Sequence, residues 1–350
     1  MNVRILGQSG IAVSPMAVGC WAFGGGSYWG NQSQRDVDAV VARALDRGVN
    51  LFDTAEMYNA GDSERALGRA LGPRRQQAVI CSKVSPDNAY RHELIRHCEQ
   101  SLLRLGTDYL DVYMLHWPIN HTAIKHFTSD PQKLAHPPTI GEAMEAMTAL
   151  RRQGKIRSIG LSNFGARQMR EALETGARID ANEMPYNIFS RAIEAEIQPF
   201  CVAHEVALIC SMALQQGVLA GIYQTADQVP MNQAHSRHYR NERGGGTSRH
   251  GEAGAEAEMF EALGHLRRVA AGAGITLPQL AIAWTLSRTG VASTLVGSRT
   301  VQELDENLRA ASLALAPDVV AEIDRISQPV LDALGSNPDY YESAENTRIY

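Results

Sequence analysis

A strand–loop–helix unit repeats along nearly the whole chain, and this repetition constrains the fold more than any other feature. After an opening hairpin around residues 3–14, each β-rich run ends in a polar or glycine-containing loop, and an amphipathic helix follows. The strand runs are MAVG, NLFD, AVICSK, LDVYMLH, IRSIGLS, IDANEM, VALICS and STLVGS. Eight units are the number that closes a (β/α)8 barrel. We therefore predict an α/β fold, a TIM barrel with an N-terminal β-hairpin.

The helical pattern supplies the eight helices of a barrel and two more. Helices are predicted after the strands at residues 36–47, 63–71, 92–105, 142–153, 167–175, 193–204 and 256–271, and from residue 301 onward. The stretches 278–287 and 318–327 are left over, and we predict them as extra C-terminal helices. Because 350 residues suit one barrel, we predict a single domain, 1–350, with long loops at about 119–139 and 224–254.

A doubly wound open sheet is the rival architecture, and the first loop argues against it. Such a sheet normally carries a Gly-x-Gly-x-x-Gly turn after its first strand. Here the segment reads GCWAFGGGSYWG, which lacks that spacing. The glycines at 24–26 and 244–246 are better explained as flexible loops than as phosphate-binding turns. The histidines of loop 224–254 match no metal-ligand spacing, so no metal site is predicted.

Composition narrows the range of partners. The net charge of −5 gives no electrostatic reason to expect a nucleic acid or a membrane surface as partner. No apolar run approaches the ~20 residues of a membrane helix, and the N-terminal residues lack the pattern of a signal peptide. The five cysteines form no Cys-x-x-Cys pair and suit reduced thiols. We therefore expect a cytoplasmic protein that binds a small molecule.

Four reactive side chains lie at the ends of three consecutive strands. Asp53 ends the second strand, with Tyr58 in the loop that follows it, and Lys83 and His116 end the third and fourth strands. In a barrel of this type, these strand ends form the face that carries the active site. Each side chain alone has an ordinary structural explanation, but together they predict a catalytic site.

The chemistry of these four groups fits proton donation to a reduced carbonyl. A free tyrosine has a pKa of ~10 and exchanges protons poorly at neutral pH, and a nearby ammonium such as Lys83 is expected to lower that pKa. Asp53 would hold the ammonium, and His116 would orient a carbonyl oxygen toward Tyr58. Such a site protonates the alkoxide that forms when hydride adds to a carbonyl. The hydride is expected from an organic cofactor.

Several longer segments resemble the aldo-keto reductase family. They are FDTAEMYNAGDSERALGRAL, SKV, LDVYMLHWP, GKIRSIGLSNF and YNIFSR, and the similarity extends over nearly the whole chain. The resemblance implies an oxidoreductase that uses NADPH, with NADH as the alternative, to reduce an aldehyde, ketone or keto-sugar. It implies that Tyr58 is the general acid, Lys83 its activator, Asp53 the anchor of Lys83, and His116 the orienting residue.

The resemblance also implies a set of binding residues. For the cofactor they are Gly19, Cys20, Trp21, Asp53, Ser162, Asn163, Glu183, Ser211, Met212, Leu214, Gly217, Gly297, Ser298, Arg299, Glu303 and Asn307. Within this set, Ser162 and Asn163 would bind the nicotinamide carboxamide, and residues 297–307 the adenosine end. For the substrate, aromatic walls and catalytic groups are expected from Trp21, Tyr28, Trp29, Tyr58, His116 and Trp117.

Three positions depart from the family pattern. Glu183 stands where the family usually has glutamine, and Ser211 stands where an aromatic ring often stacks on the nicotinamide. An ionised carboxylate at 183 donates no hydrogen bond, and a hydroxyl at 211 offers no face for stacking. Both changes therefore predict weaker nicotinamide binding. Glu303 replaces glutamine or arginine near the adenosine end, and it also fits a capping box with Thr300. The carboxylate of Glu303 would disfavour a neighbouring 2′-phosphate, whereas Arg299 and Ser298 would favour one. The preference between NADPH and NADH therefore stays open.

Two alternative functions remain. One is a nucleotide-binding regulatory or redox-sensing subunit with slow turnover, because some relatives in this family are channel-associated subunits. The other is a sugar epimerase or isomerase that retains its nicotinamide cofactor. Substrate specificity is expected to reside in loops 119–139 and 224–254.

Overall fold

Eight parallel strands form the closed barrel that the repeat predicts. The computed structural model describes residues 2–26 and 28–350, and within them the barrel closes because β10 pairs with β3. The hairpin strands are β1 (Arg4–Ile5) and β2 (Ala12–Val13), which pair antiparallel. The barrel strands are β3 (Met16–Gly19), β4 (Leu51–Asp53), β5 (Val79–Val84), β6 (Leu110–Leu115), β7 (Ile156–Ser162), β8 (Ala181–Pro185), β9 (Ala207–Ser211) and β10 (Val291–Val296).

Helices lie between the strands close to the predicted positions. They are α1 (Gln34–Asp46), α2 (Asp62–Leu71), α3 (Arg91–Leu105), α4 (His121–Ile124), α5 (Pro131–Ala135), α6 (Ile140–Arg152), α7 (Ala166–Glu174), α8 (Ile197–Ala203), α9 (Glu256–Gly272), α10 (Leu277–Leu286), α11 (Val301–Leu308) and α12 (Pro317–Leu334). The loop predicted at 119–139 thus contains two short helices. The helix predicted at 193–204 is a 3₁₀ turn (Ala192–Glu194) followed by α8.

The assignment of the extra helices differs from the prediction. The helix α10 packs against β10 and is buried at nearly every position, so it is the barrel helix of the seventh unit. The helix α9 instead packs against α12, and these two are the additions. In the described part of the chain, no single helix has the length and apolarity to cross a bilayer, and only the bent pair of α9 and α10 reaches them together.

Local sequence signals explain where several helices begin. Thr139 and Glu142 form a reciprocal capping box at α6, and Thr276 and Gln279 form another at α10. Each box satisfies backbone donors that the first helical turn leaves free. Ser33 caps α1 by accepting from a backbone donor in its first turn.

The barrel interior is closed at the end where its strands begin. Leu6, Ile11 and Val13 of the hairpin segment belong to the same buried cluster as Leu51 and Met114 inside the barrel. Burial of these apolar side chains excludes water from that end. A second core lies between the strands and the surrounding helices. The open end of the barrel is therefore the one where Asp53 and Lys83 lie. That the whole chain, 1–350, is one domain stays a prediction.

Candidate active site

Two neighbouring strands and the turn after the first bring Asp53, Tyr58 and Lys83 together. Asp53 is the last residue of β4, and Lys83 lies one residue before the end of β5. Nζ of Lys83 donates to Oδ1 of Asp53 at 2.5 Å and to the backbone oxygen of Thr54 at 3.1 Å. Oη of Tyr58 lies 3.4 Å from the same Nζ. The predicted grouping of acid, base and phenol is thus present.

His116 completes the group directly after β6. Its ring meets the Tyr58 ring edge to face, with centroids 5.6 Å apart, and its Nδ1 is buried without a hydrogen-bond partner among the described residues. Burial, followed by the charge of Lys83, lowers the pKa of His116 well below its ordinary value. The imidazole is therefore neutral at physiological pH and can donate one N–H to a ligand oxygen.

The pKa of Tyr58 shifts in the direction opposite to the expected one. Burial raises it, Lys83 lowers it by less, and Asp53 and Glu183 raise it further. Lys83 acts in the expected direction, but burial outweighs it and the two carboxyl groups add to the rise, so the net pKa lies above that of a free tyrosine. A phenol with a raised pKa is a weaker acid, but it keeps its proton at neutral pH and therefore has one to donate to a more basic alkoxide.

Glu183 is the second carboxyl group beside Lys83. Its Oε2 lies 3.3 Å from Nζ of Lys83, and burial, followed by the charge of Asp53, raises the pKa of Glu183. Burial alone would lower the pKa of Lys83, but Asp53 and Glu183 raise it well above its ordinary value. Asp53, Cys81 and Glu183 have the ligand types and proximity of a metal site. The ammonium of Lys83 already contacts both carboxyl groups and takes the place of a cation.

The ends of β7 and β8 offer complementary polar groups to an amide. Ser162 and Glu183 are opposite each other in the parallel register, and Asn163 donates its backbone N–H to the backbone oxygen of Glu183 at 2.8 Å. Nδ2 of Asn163 donates to the His116 backbone oxygen at 3.1 Å and to Oγ of Ser162 at 3.0 Å. Apart from the 3.3 Å contact with Nζ of Lys83, Oε2 of Glu183 has no partner in the described chain. The polar side chains of Ser162, Asn163 and Glu183 are therefore buried together and could hydrogen-bond to the carboxamide of a ligand.

The residues expected from the end of β3 divide into two kinds. Gly19 and Trp21 are partly exposed at the open end of the barrel. Cys20 is fully buried, its backbone N–H donates to the Asp53 oxygen at 2.8 Å, and its backbone oxygen accepts from Ser63 at 2.7 Å. The backbone polar atoms of Cys20 are thus used within the fold, and its cofactor-binding role stays a prediction.

The residues expected after β9 face the open end through an irregular loop. Ser211, Met212, Leu214 and Gly217 are all partly exposed. Met212 has a backbone φ of 58°, and its oxygen accepts from the Asn187 side chain at 2.8 Å. The accessible positions of these four residues agree with a ligand contact, and their cofactor-binding role stays a prediction.

The residues expected at the adenosine end lie together after β10, but Arg299 is already bonded. Its guanidinium donates to the backbone oxygens of Trp29 at 2.7 Å and Asn31 at 2.6 Å. Oε2 of Glu303 accepts from the Arg299 backbone N–H at 2.7 Å. The predicted capping box is thus half correct: Thr300 caps α11, but Glu303 bonds the residue before it.

Three further residues complete that end. Gly297 is exposed, Ser298 is buried, and Nδ2 of Asn307 lies 3.5 Å from Oγ of Ser298. The loop carbonyls set the orientation of the Arg299 guanidinium, but they are neutral and leave its positive charge in place. The preference between NADPH and NADH therefore stays open.

Aromatic rings line one side of the site. Trp21 stacks on Tyr28 with centroids 5.0 Å apart and on Tyr58 at 5.9 Å, and it meets Trp29 edge to face at 5.4 Å. The side chain of Gln216 donates to Oη of Tyr28 at 2.7 Å. This continuous aromatic surface runs from the phenol outward and supplies the apolar wall that the sequence suggests.

Trp117 does not line the site in the expected way. The guanidinium of Arg348 lies 3.6 Å from the centre of its ring, and Trp117 is largely buried. Arg348 is fixed by an ion pair with Asp339 at 2.6 Å. One face of Trp117 is therefore covered by the C-terminal segment and is not available to a ligand.

The C-terminal segment, residues 336–350, is a part of the site that sequence reasoning missed. The Arg348 backbone oxygen accepts from the side chains of Asn120 and Gln168, each at 2.9 Å. A Cβ added to Gly165 would lie 2.2 Å from the Tyr350 oxygen, so glycine is needed where the segment crosses the loop after β7. The segment has no periodic pattern, and only its paired tyrosines at 340–341 hinted at a buried role.

Glu342 ties three separate segments together at the rim. Its Oε1 lies 3.0 Å from Nε of Arg249 in loop 224–254 and 3.0 Å from Nε2 of His126 in loop 119–139. Tyr341 stacks on His235, which also belongs to loop 224–254, with centroids 5.2 Å apart. Both loops expected to set specificity are thus joined to the C-terminal segment.

Asn59 is another residue that the sequence analysis did not single out. Its side chain donates to the backbone oxygens of Trp21 at 3.1 Å and Phe23 at 2.8 Å. Asn59 adopts a left-handed φ of 50°, a conformation that asparagine tolerates better than most residues. It therefore couples the turn that carries Tyr58 to the aromatic loop.

Comparison with known proteins identifies the family. The model of the Aldo/keto reductase family matches residues 15–328. The NADH-specific methylglyoxal reductase of Escherichia coli is 31% identical over 332 residues, which cover 89% of this chain and 94% of that protein. The chain belongs to the aldo/keto reductase family, whose members are NAD(P)-dependent oxidoreductases.

Other relatives agree in fold. The glycerol dehydrogenase of Gluconobacter oxydans superposes with a TM-score of 0.75 at 25% identity, covering 96% of this chain and 97% of that one. An aldo/keto reductase from Klebsiella pneumoniae, solved with NADP and acetate, gives a TM-score of 0.71 at 25% identity, covering 98% and 100%. A probable voltage-gated potassium channel subunit beta of Arabidopsis thaliana is 28% identical, covering 94% and 97%. These similarities support a nicotinamide cofactor for this chain.

Proposed function

We propose that this protein reduces the carbonyl group of an aldehyde, ketone or keto-sugar to an alcohol, with Tyr58 as the proton donor. The observation that carries the proposal is the position of the Tyr58 hydroxyl, 3.4 Å from Nζ of Lys83, which is itself 2.5 Å from Asp53. Small 2-oxoaldehydes are the first substrates to test, because a relative is a methylglyoxal reductase.

The reaction needs a hydride and a proton. When bound, a reduced nicotinamide would supply a hydride to the carbonyl carbon, and the π electrons of the C=O bond would move to oxygen. Neutral His116 donates a hydrogen bond that holds this oxygen near Tyr58, and Tyr58 transfers its proton to it. The phenolate left behind is stabilised by the ammonium of Lys83, which Asp53 keeps in place, until solvent returns the proton.

The cofactor would lie across the ends of β7 to β10. Ser162, Asn163 and Glu183 would bind the carboxamide, and Ser298 with Asn307 would bind the adenosine end. Trp21 and Tyr28 would form a wall for the substrate. NADH is favoured over NADPH, because the carboxylate of Glu303, which accepts from the Arg299 backbone N–H, would repel a neighbouring 2′-phosphate, and the Arg299 guanidinium is oriented by two loop oxygens.

We propose the cytoplasm as the site of action, because all five cysteines are free and buried, as suits a reducing compartment. The partner is a small-molecule carbonyl compound or sugar, and neither a nucleic acid nor a membrane is expected. The whole chain would act as one domain, 1–350.

Substitution of Tyr58 by Phe tests the assignment directly. Tyr58→Phe removes only the hydroxyl, and loss of a positioned proton donor should lower kcat by about 10²–10⁴-fold, with cofactor affinity kept. Tyr109→Phe is the matched control, because Tyr109 lies next to the start of β6, at the opposite end of the barrel. Near-wild-type turnover by Tyr58→Phe on the best substrate of a carbonyl panel would remove Tyr58 from the role of acid.

A second candidate function is supported by one observation, the similarity to probable potassium channel β subunits. In that case the protein would bind nucleotide tightly and turn over slowly. The rate of NADH dissociation, measured by stopped-flow fluorescence and compared with kcat, distinguishes this function from carbonyl reduction.

The epimerase alternative makes a different prediction. It would be favoured if NADH dissociated more slowly than the enzyme turned over and if one carbonyl sugar were converted into its epimer.

A further inference from the structure

The cluster behind the reactive tyrosine contains one cation and two acids. Nζ of Lys83 lies 2.5 Å from Asp53 and 3.3 Å from Glu183, and all three side chains are buried. One ammonium cannot neutralise two carboxylates, and like charges in a buried site do not both ionise at neutral pH. One of the two carboxyl groups therefore holds a proton.

Glu183 is the group that keeps it. Asp53 has the shorter contact with Lys83, 2.5 Å against 3.3 Å for Oε2 of Glu183, and this buried oxygen has no other partner in the described chain. Burial, followed by the charge of Asp53, raises the pKa of Glu183 to about 8, although Lys83 acts in the opposite direction. The titratable groups that face Glu183 are Asp53 from β4, Tyr58 from the turn after it, Cys81 and Lys83 from β5, and Cys210 from β9.

A neutral carboxyl group has the hydrogen-bonding capacity of an amide. It carries one O–H donor and one C=O acceptor, whereas a carboxylate only accepts. Glu183 lies opposite Ser162 in the β7–β8 register, next to Asn163. These neighbours are the ones expected to bind the nicotinamide carboxamide. The replacement of an amide by an acid at this position is thus compatible with binding, provided that the acid is neutral.

We propose that Glu183 binds the nicotinamide carboxamide as a neutral carboxylic acid, and that ionisation of Glu183 weakens cofactor binding at alkaline pH. The inference rests on the proposed function, because it assumes a nicotinamide at this face of the barrel. It changes the meaning of the departure from the family pattern: Glu183 makes binding depend on pH and need not weaken it at neutral pH.

The direction of the pH dependence follows from linkage. If the cofactor binds only the protonated form, affinity is constant below the pKa of Glu183 in the free protein, about 8, and falls above it. The limiting slope is a tenfold rise in Kd per pH unit, and the complex takes up one proton when it forms at high pH. No proton is taken up near pH 6.

The test is a titration of the full-length protein with NADH from pH 6 to pH 10 at constant ionic strength, followed by fluorescence. NADH is chosen because it lacks a 2′-phosphate that titrates. For wild type, Kd should be flat to about pH 8 and rise above it by up to tenfold per unit, and Glu183→Gln should remove the rise. Glu345→Gln, at an exposed glutamate of the C-terminal segment, is the matched control and should keep the slope of wild type.

A second measurement needs no variant and serves if Glu183→Gln does not fold. Calorimetry of wild type in two buffers of different ionisation enthalpy should show about one proton taken up per NADH at pH 9 and none at pH 6. A rise in Kd that persists unchanged in Glu183→Gln, or an absence of proton uptake at pH 9, would overturn the inference while the reductase proposal stands. If neither NADH nor NADPH bound at any pH, both the inference and the reductase proposal would be overturned.

Discussion

The floor and the roof of the site are stabilised in different ways. The floor consists of Asp53, Lys83 and His116 at the ends of barrel strands, and the roof consists of residues 224–254 and 336–350. The floor side chains are buried, and each sits at or near the end of a hydrogen-bonded parallel strand. Their relative positions therefore follow from the register of the barrel. The reactive groups are fixed by the fold itself.

The roof depends on contacts between segments far apart in sequence. Arg237 of loop 224–254 donates to the backbone oxygens of Asn337 at 2.8 Å and Leu334 at 2.6 Å, and Arg249 pairs with Glu342 at 3.0 Å. Such contacts can change without altering the barrel, as loops generally do. From this difference we expect that the floor determines the type of reaction and that the roof determines the choice of substrate.

The largest expected effect comes from breaking the floor. Lys83→Met should abolish most turnover and lower the free energy of unfolding by about 3–5 kcal/mol, because it leaves a buried carboxylate without its partner. Turnover and urea denaturation measure the two consequences separately.

The double variant Asp53→Asn with Lys83→Met is the control for this prediction. It removes the unpaired charge, so stability should partly return while turnover stays lost. If turnover returned together with stability, Lys83 would have only a structural role, and the floor would not be the reacting part of the site.

A smaller effect is expected from loosening the roof. Glu342→Gln keeps the side-chain volume but removes the charge that faces Arg249 and His126. We expect a loss of about 1–3 kcal/mol in local stability, seen as faster hydrogen exchange in residues 224–254. KM for the carbonyl substrate should rise more than kcat falls.

The matched control is Glu345→Gln, which changes an exposed glutamate of the same segment. It should leave hydrogen exchange and KM unchanged. An equal fall of kcat and kcat/KM in Glu342→Gln would mean that the roof takes part in the chemical step, and the division between floor and roof would fail.

The smallest effect is expected at Ser211, the position where family members often have a stacking ring. Ser211→Tyr should tighten NADH binding by about 0.5–1.5 kcal/mol, up to about tenfold in Kd. Ser211→Ala is the control, and it should give no gain. Fluorescence titration at pH 7 compares the three proteins, and weaker binding by the tyrosine variant would show that the loop after β9 leaves no room for a ring.

The floor could be predicted from sequence because its signals are local. Asp53, Lys83 and His116 each follow an apolar strand run, and parallel strands bring their ends to one face. The identity of α10 could also have been predicted, since its sequence LPQLAIAWTL is apolar on all sides, which is typical of a buried helix.

The remaining features depend on distances between segments. The proton that we propose on Glu183 depends on burial and on the charge of Asp53, which together outweigh the nearby ammonium of Lys83. The spacing along the chain does not reveal this arrangement. The burial of Arg348 over Trp117 joins residues more than 200 positions apart in an aperiodic segment. No pattern of hydrophobicity encodes such contacts, so the sequence predicts loop 224–254 of the roof but not the part formed by residues 336–350.

The most direct test of the account follows the hydride and the proton together. Wild type and Tyr58→Phe would be mixed with NADH deuterated at the transferable position and with the best carbonyl substrate of a panel, and the alcohol analysed by mass spectrometry. We expect one deuterium on the carbinol carbon, in an alcohol that wild type forms at least about 10²-fold faster than the variant. Equal rates in the two proteins, or oxidation of NADH without deuterium in any alcohol, would contradict it.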